Sequence, residues 1–180
     1  MSVFTVPTTN QVSAANQAIF ANLEKGLGFV PNLYATFAHS ESALRRFLPF
    51  ASGQSSLSAK EKEAIDLAVS EVNGCSYCLA AHTAIAKGLG LTEDQTLQLR
   101  EGYLDGDDRL SALATFASLT AQRRGKPGAD ATDDLLAAGF TRENVVDAVL
   151  AIGAITITNY LHGVTGVPVD FPAARAAAVA

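Results

Sequence analysis

The sequence predicts an all-α chain, a bundle of about seven to nine helices. Three observations carry the prediction. Apolar residues recur at three- and four-residue spacing, as in Ala64, Ile65, Ala68, Val69 and Val72, which is the period of one helix face. Two capping boxes, Ser58-Ala59-Lys60-Glu61 and Thr92-Glu93-Asp94-Gln95, mark helix starts, because their reciprocal bonds satisfy two otherwise orphaned backbone N–H groups. No segment alternates polar and apolar residues over a useful length; the nearest, 164–169, is interrupted by Gly166 and Pro168.

The first helix is expected from Asn10 to Gly26, with Gly26 and Gly28 ending it and Pro31 blocking its continuation. A short helix follows from Pro31-Asn32 toward His39. Ser40 is the expected N-cap of the next, from Glu41 to about Phe50, with Pro49 in its final turn. The Ser58 helix runs to Val72, where Asn73-Gly74 breaks it, both residues being tolerant of the left-handed C-cap conformation. The following helix spans Cys75 to Lys87 and ends at Gly88 or Gly90. Thr92 opens a short helix to Arg100. Asp107 or Asp108 opens a longer one to Arg124, with Leu110, Leu113, Phe116, Ala117 and Thr120 on one face. After a Gly125–Gly128 loop, helices over Thr132–Ala138 and from Thr141 to near His162 complete the set. The alanine-rich tail, Phe171 to Ala180, is expected to fray. This organisation suits one domain over 1–180: an N-terminal helical segment (1–55), a central core carrying the cysteines (56–125) and C-terminal helices (126–180).

Composition narrows the function classes. With 48% hydrophobic and 17% charged residues, the 180-residue chain is too apolar for disorder. Thirteen basic residues against eighteen acidic ones, a net charge of −5 and no Trp argue against nucleic acid as a partner. Two cysteines three residues apart exclude a disulfide-stapled secreted fold. No basic residue precedes Lys25, and no apolar run opens the chain, which argues against a secretory leader and for the cytoplasm. The 22 uncharged residues between Asp147 and Asp170 are long enough to cross a bilayer. Thr156, Thr158, Asn159, His162, Thr165 and Pro168 make that stretch a poor lipid segment. No membrane partner is expected; so apolar a helix is expected to be buried in the protein or in a homo-oligomer.

The chemistry concentrates between Glu63 and His82. Cys75 and Cys78 bracket the first turn of a helix, where positions i and i+3 share a face and sit at a bridgeable distance. The free N–H groups and the dipole at that helix start favour a thiolate, most strongly at Cys75. His82 lies one turn beyond Cys78 and offers it a base. Because direct proton removal outweighs a terminal dipole, Cys78 is the expected attacking thiol. Glu63, twelve residues before Cys75 on the preceding helix, can reach His82 across the helical hairpin and orient its ring. Glu61 is accounted for by the capping box. Two other readings stay open: a non-catalytic redox-sensing CxxC module, and a zinc site drawing on the cysteines with two of His39, His82 and His162. A haem-attachment motif fails, because Leu79 stands where its histidine belongs.

These residues resemble the carboxymuconolactone decarboxylase-like superfamily, in its alkylhydroperoxidase D (AhpD)-like, peroxidase-related branch. The resemblance rests on Glu63, Asn73-Gly74-Cys75-Ser76-Tyr77-Cys78, Ala80-Ala81-His82 and Lys87-Gly88-Leu89-Gly90. Val30-Pro31-Asn32-Leu33, Asn159-Tyr160 and Val169-Asp170-Phe171-Pro172 extend it over nearly the whole chain. It implies an AhpD-like helical bundle, a dimer, trimer or hexamer, and a thiol peroxidase with no bound cofactor and no metal. By the same resemblance Cys78 attacks hydrogen peroxide or an organic hydroperoxide, Cys75 resolves the sulfenic acid as a disulfide, and His82 and Glu63 relay the proton. An external dithiol completes the cycle, a lipoyl group or a thioredoxin-type protein serving as the reducing partner. Two points qualify the match. Tyr77 stands where well-studied members carry a histidine. The decarboxylase branch lacks the CxxC pair, which ranks a lactone decarboxylase below the peroxidase.

Overall fold

A computed structural model describes residues 4–177. Among them are a short 3-10 helix, Thr9–Gln11, and nine α-helices: α1 Ala14–Leu27, α2 Asn32–Phe37, α3 Ala43–Ala51, α4 Ala59–Val72, α5 Ser76–Gly88, α6 Glu93–Arg100, α7 Asp108–Gln122, α8 Ala129–Ala137 and α9 Arg142–Thr165. No strand occurs among the described residues. The all-α expectation holds, and the nine helices fall within the expected number.

Helix α4 is the hub and packs against α5, α6, α7 and α9. Its sequence explains why: Ala64, Ile65, Leu67, Ala68 and Val69 are all fully buried. Apolar positions on so much of the circumference need partners on several sides, and alanines at 64 and 68 let those partners come close. The main core joins α4 to Leu110, Leu113, Phe116 and Ala117 of α7, Leu99 of α6, Leu135 of α8 and Ile152 and Ile155 of α9. A second cluster belongs to α1–α3, where Phe20, Leu44 and a stacked Phe37–Phe47 pair (centroids 4.6 Å apart) close a smaller core. Val6 and Leu161 pack against both clusters.

Both expected capping boxes form, at Ser58/Glu61 and Thr92/Gln95, and Pro49 does lie inside α3. Some boundaries move for local reasons. The first helix starts at Ala14, because Ser13 accepts the Asn16 N–H and leaves residues 9–11 as a separate turn. Helix α3 is preceded by Ser42, not Ser40, and no side chain caps it. Helix α8 begins three residues early, as Gly128 at φ 103° admits a sharp entry closed to most residues. Helix α9 runs on to Thr165 and ends at Gly166, φ 59°, in the left-handed region. The tail after it is anchored as far as it is described. Asp170 accepts the Asn32 N–H, Arg100 donates to the Arg175 carbonyl at 2.5 Å, and Arg175 pairs with Asp94. Residues 1–3 and 178–180, which belong to the leader and fraying expectations, lie outside the described residues.

Helix α9 is long and apolar enough to cross a membrane by length and composition, with a mean hydropathy of 1.4 in its most apolar window. One face docks on the bundle, where Asn159 donates to Ser70 of α4 and accepts from Asn73. The opposite face carries Val146, Val149, Leu150, Ile157, Tyr160 and Val164, all exposed.

Candidate active site

The α4–α5 turn builds the site. Gly74, at φ 64°, takes the left-handed conformation that reverses the chain after α4. Cys75 is then the N-cap of α5, its sulfur accepting the Cys78 N–H at 3.2 Å. A thiol thus occupies the place that Ser or Asp fills at other helix starts. The two sulfurs stand 2.6 Å apart, and both cysteines are free and buried. The Cys78 S–H next to it, the Cys78 N–H and the charges and amides of His162 and Asn159 overcome burial and bring the Cys75 thiol down to about 6. The same contact with Cys75, together with burial, pushes the Cys78 thiol up. The two shifts run in opposite directions and favour a thiolate on Cys75 over one on Cys78.

Access runs the other way. A cavity of about 230 Å³ is lined by Cys78 and His82 with Phe29, Tyr34, Tyr77 and Phe171, and Cys75 is not in its wall. The Cys78 sulfur also lies 3.8 Å from Thr158 Oγ1 on α9.

The helical hairpin brings Glu63 to His82 as expected, with Nδ1 and Oε2 2.9 Å apart. Asp66, one turn after Glu63, adds a second carboxylate 3.4 Å from the same nitrogen. Burial disfavours charge on the ring, but the Asp66 and Glu63 carboxylates outweigh it and raise His82 to about 9. The carboxylates thus favour the protonated ring at neutral pH. No Cys78–His82 hydrogen bond forms among the described residues; the two share the cavity wall. With Nδ1 held by the carboxylates, Nε2 is the nitrogen left for that cavity.

Tyr77 is committed to architecture. Its hydroxyl donates to Asp170 Oδ1 at 2.6 Å and accepts the Leu33 N–H at 3.2 Å, while Asp170 Oδ2 accepts the Asn32 N–H at 2.7 Å. Burial and the Asp170 carboxylate push its ionisation far up, so it holds α2 and the tail against α5. His162 closes α9 through Val167 O at 3.2 Å, and His39 bonds Thr5 O. Glu61, the capping partner, also pairs with Arg109, and Glu71 pairs with Arg100.

The sequence reading assigned no role to Asp66, Thr158 or the Tyr77–Asp170 link. Asp66 had a signal, its i+3 position from Glu63 on the same helix face. The cysteines belong to no cluster of three potential metal ligands among the described residues; Glu63, Asp66 and His82 form the one such group, their donor atoms within 4.8 Å of one another.

Residues 39–103, from just before α3 through α6, match the model of the carboxymuconolactone decarboxylase family. No curated protein matches the sequence. Several solved structures share its fold. A peroxidase-related protein from Silicibacter sp. TM1040 superposes with a TM-score of 0.78 at 25% identity, over 92% of this chain and 90% of that one. The alkylhydroperoxidase AhpD core of a peroxidase-related protein from Ralstonia eutropha JMP134 gives 0.84 at 24% identity, over 94% and 92%. The debrominase Bmp8, in complex with 2,3,4-tribromopyrrole, gives 0.77 at 19% identity, over 94% of each chain.

Proposed function

Taking the chain as a member of the carboxymuconolactone decarboxylase-like superfamily in its AhpD-like branch, which the family match and the fold likeness support, we propose that it is a thiol-dependent peroxidase. The observation that carries this reading is the free Cys75–Cys78 pair, 2.6 Å between sulfurs, with Cys78 on an apolar cavity shared with the His82 imidazolium.

The steps balance on these groups. The single proton of the pair passes from Cys78 to Cys75, leaving a thiolate on the cavity. That sulfur attacks the distal peroxide oxygen; the O–O bond breaks, Cys78 becomes a sulfenic acid, and the leaving alkoxide takes the His82 proton as alcohol or water. Neutral His82 then removes the Cys75 proton. The Cys75 thiolate attacks the Cys78 sulfur, and hydroxide departs as water with that proton, closing the disulfide. An external dithiol supplies two electrons and two protons to reopen it, and a lipoyl group or a thioredoxin-type protein fits that role. No bound cofactor is required. The aromatic and aliphatic walls of the cavity favour organic hydroperoxides over hydrogen peroxide. The exposed apolar face of α9 supports self-association, and thiol chemistry of this kind suits the reducing cytoplasm.

The test is steady-state consumption of hydrogen peroxide, tert-butyl hydroperoxide and cumene hydroperoxide, with dihydrolipoamide or reduced thioredoxin as donor and metal content measured alongside. Turnover supports the reading. One equivalent of oxidation without turnover with any donor makes the pair a sensor, and stoichiometric zinc with inert thiols makes it a clamp.

A further inference from the structure

The open face of α9 has an order of its own. Val146, Leu150, Gly153, Ile157, Tyr160 and Val164 follow one another at alternating spacings of four and three residues, the seven-residue repeat by which one helix packs along another. All but the glycine are exposed, as is Val149 beside them. Gly153 sits mid-stripe, and its own chain gives no reason for it. It does not have a positive φ, and a Cβ there would meet nothing within 4 Å among the described residues. A glycine inside a helix is less stable than an alanine, and what it permits in return is the close approach of another backbone.

The stripe is also its own complement. Turned end for end about Gly153, it sets Val146 against Tyr160 and Val149 against Ile157, the reciprocal pairing of a two-fold contact. Its halves differ in relief. Ile157, Tyr160 and Val164 share a groove of about 530 Å³ with Phe4, Phe37 and His39, while Val146, Val149 and Leu150 lie outside it. These six α9 residues are 44% to 74% exposed. With the groove they make a patch on the order of 600 Å², at the upper end for a monomer and near the roughly 800 Å² that each partner gives a standard interface. Charge favours protein over lipid here. Arg142 is the one Lys or Arg of α9, and the chain carries −5, whereas helices that lie on membranes are rich in basic residues.

From this arrangement we infer that the face binds a second copy of this chain, its α9 antiparallel to the first and crossing it at Gly153. Val146, Val149 and Leu150 of each copy then fill the groove of the other. The contact does not depend on the chemistry at Cys78, although the inner face of the same helix presents Thr158 to that sulfur.

Sedimentation equilibrium of the full chain at micromolar concentration should give a dimer or an even-numbered assembly. Val149→Lys and Ile157→Glu each leave an unpaired charge in the contact and should each weaken it about 100-fold. Their equimolar mixture should recover the wild-type mass, because residue 149 of one copy faces residue 157 of the other. Val149→Lys mixed with Val149→Glu, which a parallel pair would bring together, should stay apart. Under mild oxidation Gly153→Cys should form a covalent dimer. Val164→Cys should form none, since its two copies lie at opposite ends of the pair, about 33 Å apart, beyond the reach of a disulfide. A monomeric or odd-numbered wild type, undiminished association in both charged variants, or rescue by the 149/149 mixture and not the 149/157 mixture overturns the inference. Cross-linking at 164 and not at 153 does the same. A wild type that floats as a monomer with vesicles of phosphatidylcholine and phosphatidylglycerol gives the face to a membrane and overturns it equally.

Discussion

Replacing Cys75 by serine tests where the resting thiolate resides. In the reduced protein the Cys75 thiol is brought from an ordinary value near 9 to about 6 by the Cys78 S–H and N–H. Three pH units change the thiolate-to-thiol ratio at pH 7 from about 1:100 to about 10:1. The partner moves oppositely, because the Cys75 charge beside it opposes a second ionisation. Ultraviolet absorbance at 240 nm, followed against pH, reads the thiolate directly. Wild type should show one thiolate appearing near pH 6 and no second step below about pH 9. Cys75→Ser should lose the step near pH 6, and its remaining thiol should ionise at or above the ordinary range of about 8.5–9, held up by burial. Cys78→Ser keeps a hydroxyl donor and the N–H, so its step should stay below 8.5. Reactivity should change less than ionisation, because the attacking sulfur, Cys78, is present in both proteins. Cys75→Ser is therefore expected to keep reacting with peroxide. If the step near pH 6 survives in Cys75→Ser and vanishes in Cys78→Ser, the thiolate is on Cys78 and the reasoning from the N-cap hydrogen bonds is wrong.

The other expectations are shorter. Cys78→Ser should abolish reaction with peroxide, and Cys75→Ser should accumulate a sulfenic acid on Cys78 that dimedone traps; the reverse pattern exchanges the two roles. His82→Ala and Glu63→Gln should slow the first oxidation about 10²–10⁴-fold, read by stopped flow, with helical circular dichroism unchanged. Since the folded pKa of His82 is raised from 6.5 to about 9, its charge stabilises the fold fully below pH 6.5, and that contribution disappears as pH rises through 9. Urea denaturation should accordingly show the stability gap between wild type and His82→Ala narrowing from pH 6 to pH 10. Leu113→Ala, at a fully buried position of the main core, should cost about 2–5 kcal/mol in the same measurement. Light scattering at micromolar concentration should give an oligomeric mass, and lysine at Leu150 or Val164 on the exposed face of α9 should reduce it.

Much of the fold and part of the site are legible in the sequence. Capping boxes at Ser58 and Thr92 and the Asn73-Gly74 break act within one turn of chain, so their neighbours in sequence are their neighbours in space. The CxxC pair and its place at a helix start are local for the same reason. The Glu63–His82 contact needed one further step, that a two-residue turn folds α4 against α5. Boundaries were missed where competing caps lie close together, as at Ser40 and Ser42, and where an exposed glycine such as Gly128 decides the entry.

By itself the sequence determined the helical period, most of the helix starts and stops, and a Cys-x-x-Cys pair at a helix start with a histidine and a carboxylate one hairpin away. All of these follow from interactions a few residues long or from one tight turn. Only the tertiary structure decided which sulfur meets the cavity, that Asp66 shares His82 with Glu63, and that Tyr77 is held by Asp170, 93 residues away. It also decided that one face of α9 lies open. Those outcomes depend on which sides of α2, α4, α5 and α9 meet. Burial and a neighbouring charge then shift a carboxyl or a thiol by several pH units, and no local pattern in the chain records that environment.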